Sequence, residues 1–326
     1  MLDDLVANAA QCSSMYLDTL EWMSHESFEG DDHHQSMART HRLSDGSVWY
    51  FLGHSETDEG QQGSISTYRY DGPLDEQHII ETSPRTVAPM KQLLELDGER
   101  HPSDICFLGD VNHADAGYLF VTQESDKHRL SVYRWSPETG LNLHGHFPHG
   151  FPVDGPSFAF IDLVGDTYFL GVASNHWNWV AVFSAKAAEL FPGCKQGAMD
   201  LDAFRPVCPG PLFPFAPTGT PAQMKLIRDS LDEWYLLAFR GDSNNDPQGT
   251  DYVDVYKVQF EPFILSGLIG SVHVKFRGGD TGFANTGSHH VDASGRLLLI
   301  SSYRWSEDEG SGDSDYVSRV DEVPSS

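Results

Sequence analysis

The chain has 326 residues, 39% of them hydrophobic and 12% aromatic, and carries a formal net charge of −27. That acidity argues against nucleic acid and anionic membrane as partners, since both require a basic surface. The hydrophobic content suffices for a packed core, and no segment approaches the ~18 consecutive apolar residues of a membrane helix.

The opening residues, MLDDLVANAAQCSS, lack the basic start and strong apolar run of a signal peptide, so a cytoplasmic protein is expected. Cys12, Cys106, Cys194 and Cys208 make no CxxC pair. Only Cys194 and Cys208 lie close enough in sequence to suggest a bridge, and free thiols are expected.

In chain order, MYLDTLEWM at 15–23 precedes everything that repeats. HHQSMA at 33–38 is then echoed by RHPSDICFL at 100–108, GPSFAF at 155–160, TPAQMKL at 220–226 and TGSHHV at 286–291. Each begins with a polar or small residue and a turn-former, and each has one variable position: Ser36, Asp104, Phe158, Gln223 and His289. Echoes roughly 55–70 residues apart mark a radial or stacked architecture.

After each echo comes an apolar run: VWYFLG at 48–53, YLFVT at 118–122, TYFLGV at 167–172, WYLLAF at 234–239 and LLLIS at 297–301. These read as buried strands. The first is preceded by an Asp45-Gly46 turn, and Asp229–Glu233 is a second turn. A third strand follows in each unit: ISTYRY at 65–70, LSVYRW at 130–135, VAVFSA at 180–185, VDVYKV at 253–258 and YVSRVDEV at 316–323. Tyr68, Tyr133, Phe183 and Tyr256 recur in register within that set. Fourth strands are expected at 78–82, 141–147 and 264–276, with the third unit's hidden in the Pro-rich stretch 189–220. VAPMKQLLEL at 87–96 is the best helix candidate, as a connector.

Four strands per unit and five units use the whole chain, and the last unit lacks its outer strand, which the segment at 15–23 can supply. On these grounds the chain resembles the β-propeller superfamily over nearly its full length. The expected fold is all-β, a five-bladed β-propeller of four-stranded antiparallel blades closed by the N-terminal strand. Residues 1–326 form one domain, with blades at about 33–86, 100–150, 154–216, 219–280, and 285–323 plus 14–24.

The resemblance implies that inner-strand starts and the loops joining second and third strands meet at one mouth. It gathers His34, His101, Asp104, Phe158, Gln223 and His289 there, with Glu56, Glu124, His176, Trp177, Trp179, Arg240, Arg304 and Trp305 around them. Divergence at the variable positions favours one asymmetric site over one sugar per blade.

The expected activity is cofactor-independent acid–base chemistry on a small organic molecule, by cyclisation, isomerisation, elimination or hydrolysis. His289 and His34 would transfer protons, with His101 nearby. Asp104 would orient a histidine or act as an acid, and Arg240 or Arg304 would hold an anion. Trp177, Trp179 and Trp305 would form the wall.

One alternative is a carbohydrate-active or carbohydrate-binding propeller, since hydrolysis needs two carboxylates about 5–10 Å apart. Asp104 can be one and Glu56, Glu124 or Asp242 the other. Propeller glycosidases typically draw acids from successive inner strands, whereas Phe158 and Gln223 stand at the third and fourth here. The other alternative is a non-catalytic interaction propeller. No nucleotide fingerprint occurs, and no cofactor is expected; a metal such as zinc, copper or iron held by three of the mouth histidines is a weak candidate. Asp242, Asn244 and Asp246 make a weak calcium candidate with Pro247 where the loop glycine belongs. The dense histidines of HGHFPHG at 144–150 are expected to be solvated. The protein is expected to be a monomer.

Overall fold

The computed structural model describes residues 14–18, 20–25, 33–55, 62–70, 86–87, 90–96, 101–123, 129–150, 156–174, 180–192, 198–207, 220–229, 231–241, 251–260, 262–277, 282–291, 297–302 and 317–324. The strands begin with β1 (Ser14–Asp18), β2 (Leu20–His25), β3 (His33–Arg39), β4 (Val48–Ser55), β5 (Ser64–Tyr70), β6 (Thr86–Val87), β7 (Met90–Glu95) and β8 (Pro102–Asp110). Next come β9 (His113–Gln123), β10 (Arg129–Ser136), β11 (Gly140–Pro148), β12 (Pro156–Val164), β13 (Thr167–Ser174) and β14 (Val180–Lys186). A four-residue helix, α1 (Ala187–Leu190), precedes β15 (Arg205–Pro206). The rest are β16 (Thr220–Arg228), β17 (Trp234–Gly241), β18 (Asp251–Phe260), β19 (Phe263–Arg277), β20 (Gly282–Val291), β21 (Leu297–Ser302) and β22 (Val317–Pro324).

These strands form a β-propeller. β3, β8, β12, β16 and β20 are the inner strands and follow one another around the ring, with β20 beside β3. Four blades are contiguous in the chain: β3-β4-β5-β7, β8-β9-β10-β11, β12-β13-β14-β15 and β16-β17-β18-β19.

The remaining strands do not make a fifth unit of the same kind, which corrects the expectation of five like, four-stranded antiparallel blades. β20, β21 and β22 are joined by β2, antiparallel to β22, and by β6, parallel to β2. That closing sheet is a five-stranded composite drawn from three parts of the chain. The segment at 15–23 is accordingly divided. β2 joins the closing sheet, while β1 runs parallel to β19 and gives the fourth contiguous blade a fifth strand. Both additions cover sheet edges that would otherwise present unpaired backbone groups.

The expected helix at 87–96 is also corrected, because β7 is the outer strand of the first blade. From Lys91 to Leu96 exposure alternates residue by residue, which is a strand's period and not a helix's. Gln92 secures the arrangement: its Oε1 accepts from the Leu141 amide at 2.8 Å, so the side chain extends toward the next blade's β11. The expected strand at 78–82 lies outside the described residues. The third blade's outer strand is the two-residue β15, pairing with Phe183 and Ser184.

The expected turn at Asp45-Gly46 is present. Gly46 has φ +85°, the left-handed region glycine adopts without a Cβ penalty, and Asp45 Oδ1 accepts from the Ser47 amide at 2.9 Å.

Cores lie between blades. Trp49, Phe51, Ile105, Phe107 and Trp135 pack where the first and second blades meet. Tyr118, Phe147, Phe183 and Phe191 fill the next junction, and Phe160, Phe169, Met224, Leu236 and Tyr256 the one after. Trp135 is fully buried and meets Trp49 and Phe51 edge to face, each at 5.3 Å between centroids. Trp135→Ala is therefore expected to cost about 3–5 kcal/mol, read as a lower urea midpoint with an unchanged m-value.

Candidate functional site

The repeated motif at the inner-strand starts is a β-bulge. Pairing skips between His34 and Ser36, Pro102 and Ile105, Pro156 and Phe158, Pro221 and Gln223, and Gly282 and Gly287. A bulge leaves residues out of the ladder and re-aims their side chains. The turn-former and small residue of each echo occur where the inner strand makes this kink, so the motif is framework. Of the five variable residues only Asp104 is left out of the ladder, while Ser36, Phe158, Gln223 and His289 pair with Gly53, Ala173, Phe239 and Leu299.

Asp104 shows what such a residue can do. It has 0% relative exposure and sits within the β8 bulge. Its Oδ1 accepts from the Ile105 amide at 2.7 Å and from Lys225 Nζ at 3.3 Å, and its Oδ2 accepts from the Ala159 amide at 3.1 Å. One carboxylate thus ties β8 to β12 and β16. Lys225 also donates to the Ile105 carbonyl at 3.0 Å, reaching from the fourth blade to the second. Burial raises Asp104 to about 6, against the lowering effects of the Lys225 charge and the amide donors.

Ser36 makes a similar link, its Oγ donating to the Pro102 carbonyl at 2.7 Å. Gln223 is fully buried on β16, two residues from Lys225 on the same strand face, and among the described residues neither its Oε1 nor its Nε2 has a hydrogen-bond partner. An unmet buried amide costs about 1–3 kcal/mol, so this side chain is suited to a ligand or water that supplies both a donor and an acceptor.

Arg240 is held in place. Its Nε and Nη2 donate to the two carboxylate oxygens of Asp254 at 2.7 and 3.1 Å, and its guanidinium lies 4.2 Å from the Tyr252 ring centroid. That forked pair, nearly buried, uses the arginine for the β17–β18 framework. His101 is half-buried just before β8. His34, Phe158 and His289 lie on β3, β12 and β20, opposite His54, Ala173 and Leu299. Glu56, Glu124, His176, Trp177, Trp179, Arg304, Trp305 and the calcium candidate Asp242, Asn244 and Asp246 lie outside the described residues. Among the described residues no group of three or more His, Cys, Asp or Glu side chains is placed to hold a metal ion.

The histidines of 144–150 are not simply solvated. His144 Nε2 donates to the Met199 carbonyl at 2.7 Å, and His149 is buried. Cys106 is a buried free thiol, pushed up to about 12 by burial, and so remains protonated and unreactive at neutral pH.

Lys225 is the residue that sequence reasoning passed over. The available signal was a lysine between Met224 and Leu226 on an inner strand, in a chain poor in lysine. A buried cation there implies a buried anion nearby.

Asp104 holds a proton in the folded chain between about pH 4 and 6 that the unfolded chain releases. Its contribution to stability is therefore present at low pH and lost as pH rises through 6. Lys225→Met removes the charge that limits this shift. The variant should lose about 3–5 kcal/mol at pH 7.5, where Asp104 must either ionise without a cation or hold a proton the unfolded chain releases, and far less at pH 5. Urea midpoints at the two pH values measure the difference.

No family model and no curated protein sequence matches the chain. Solved structures share its fold. The alpha-L-arabinofuranosidase of Podospora anserina, solved in complex with cellotriose, has a TM-score of 0.52 and 10% identity, over 93% of this chain and 97% of that one. The GH62 alpha-L-arabinofuranosidase catalytic domain of Coprinopsis cinerea likewise has a TM-score of 0.52 and 10% identity, over 94% and 97%. A GH43 beta-xylosidase/alpha-arabinofuranosidase from a compost microbial metagenome, in complex with xylotriose and calcium-free, has a TM-score of 0.50 and 10% identity, over 92% and 93%.

Proposed function

We propose that the chain is a carbohydrate-active propeller, a single domain that engages a glycoside or oligosaccharide at the bulged ends of its inner strands and cleaves it by cofactor-independent acid–base chemistry. The observation that carries this reading is the end-to-end fold likeness to glycosidases that act on, or are bound to, saccharides. Two features of the site support it. Asp104 is a buried inner-strand carboxylate that changes protonation near pH 6, within the range useful for proton transfer. Gln223 offers a buried donor and acceptor together, the complement of a sugar hydroxyl. Glycoside cleavage requires a second carboxylate, and in this proposal Glu56, Glu124 or Asp242 supplies it, with His34 and His289 as proton-transfer groups.

A second reading, binding without turnover, is favoured by one observation: both oxygens of Asp104 are already engaged by Lys225 and two backbone amides. The two are separated by assaying 4-nitrophenyl α-L-arabinofuranoside, 4-nitrophenyl β-D-xyloside, cellotriose and xylotriose for hydrolysis and, by calorimetry, for binding. Hydrolysis should fall at least 100-fold in Asp104→Asn and in one of Glu56→Gln, Glu124→Gln or Asp242→Asn. Binding with no product in the wild type would establish the second reading. Neither binding nor hydrolysis across the panel would overturn both.

A further inference from the structure

A cavity of about 580 Å³ opens at the end of the inner strands opposite the bulges, walled by the later residues of β3, β8, β12 and β16. Three of its four charged lining side chains are cations, namely Arg39, Lys225 and Arg228, and the fourth is Asp162. In a chain with 48 acidic and 21 basic residues, that is a local inversion of charge. Phe160 and Trp234 add flat apolar wall.

The setting of each cation matters. Arg39 is 7% exposed, donates from Nε to the Thr40 carbonyl at 3.2 Å and lies over the Tyr50 ring. Arg228 pairs with Asp232 at 3.4 Å, but both side chains are more than half exposed, so solvent weakens that pair. Its guanidinium also lies 5.8 Å from the Trp234 ring centroid, so charge and apolar wall stand side by side. Lys225 is engaged from the far side by Asp104. The volume falls within the usual range for small-molecule sites, and guanidinium forks match carboxylate and phosphate oxygens.

We infer that this cavity binds a small organic anion, with a carboxylate or phosphate head between Arg39 and Arg228 and an apolar ring-sized body against Phe160 and Trp234. The cavity lies on the opposite side of Lys225 from Asp104, and the inference does not rest on the proposed saccharide chemistry. Asp162 sets its pH response. Burial raises this carboxyl to about 6, while the Leu163 amide and Arg228 act in the opposite direction. Burial and the Arg39 charge hold His41 below the ordinary imidazole range, and the Cys106 thiol stays neutral. Acidification therefore removes the one lining carboxylate charge.

The test is calorimetry on the full chain at about 150 mM salt, where long-range repulsion by the acidic surface is screened. Phenyl phosphate and phenylacetate are the probes, and benzyl alcohol is the neutral control. Each anion should bind one to one at least ten times more tightly than the alcohol. Phenylacetate should tighten several-fold from pH 7.5 to 5.5. Arg39→Met and Arg228→Met should each weaken the anions tenfold or more. Arg228 is largely exposed, so its variant keeps the fold and decides the matter even if Arg39→Met does not fold. Anions that bind no better than benzyl alcohol, or as well to Arg228→Met as to the wild type, would overturn the inference. Saccharide hydrolysis or binding, measured in parallel, should be unchanged in Arg228→Met.

Discussion

The Asp104–Lys225 pair is the contact on which the centre of this propeller depends. Blades pack face to face through side chains, and among the described residues no disulfide joins one to the next. At the axis, a single carboxylate takes donors from its own strand, from β12 and from β16. Both partners are almost fully withdrawn from water. In such a place the desolvation of two charges rivals their attraction, so the pair adds little net stability, yet removing either member leaves a buried charge. The pair links three inner strands, because the two carboxylate oxygens take donors from all three.

Around that centre the blades are joined by repeated aromatic packing. The aromatic that recurs on the third strand of four units falls, in three of them, in successive junctions. Tyr133 lies in the core shared with the first blade, Phe183 in the core shared with the second and Tyr256 in the core shared with the third. Each ring therefore packs against the preceding blade. A repeat spaced by one blade in sequence becomes a repeat of interfaces in space, which is why its register is kept while the loops between diverge.

This explains how much of the fold could be read from the sequence. Second and third strands are buried, so their composition alone marks them: every residue of β4 from Val48 to Ser55 is buried. Outer strands meet solvent on one side and have weaker patterns. β7 looked helical because Leu93, Leu94 and Leu96 suit either period, and the arbiter is a contact 49 residues away, from Gln92 to Leu141. β15 is two residues long, too short for any pattern. The division of the N-terminal segment between two sheets depends on which edges lie exposed in the finished ring, which no local stretch encodes. At the site, Asp104 was legible as a carboxylate replacing the small or neutral residues of its echoes. Its partner was not, since Lys225 lies 121 residues away and on a strand that does not adjoin β8.

Lys225 also stands between the two ends of the inner strands. On one side it meets Asp104, at the level of the bulges where Ser36 and Gln223 lie; on the other it lines the cavity that Arg39 and Arg228 make cationic. Its ammonium group is thus a boundary between the two ends. The electrostatic consequence follows from its position. Lys225 is the largest influence holding Asp104 down against burial, and a negative charge brought near the same ammonium from below offsets part of that influence. Asp104 then keeps its proton to higher pH. Through this one side chain, an anion held in the cavity would bear on the protonation of Asp104.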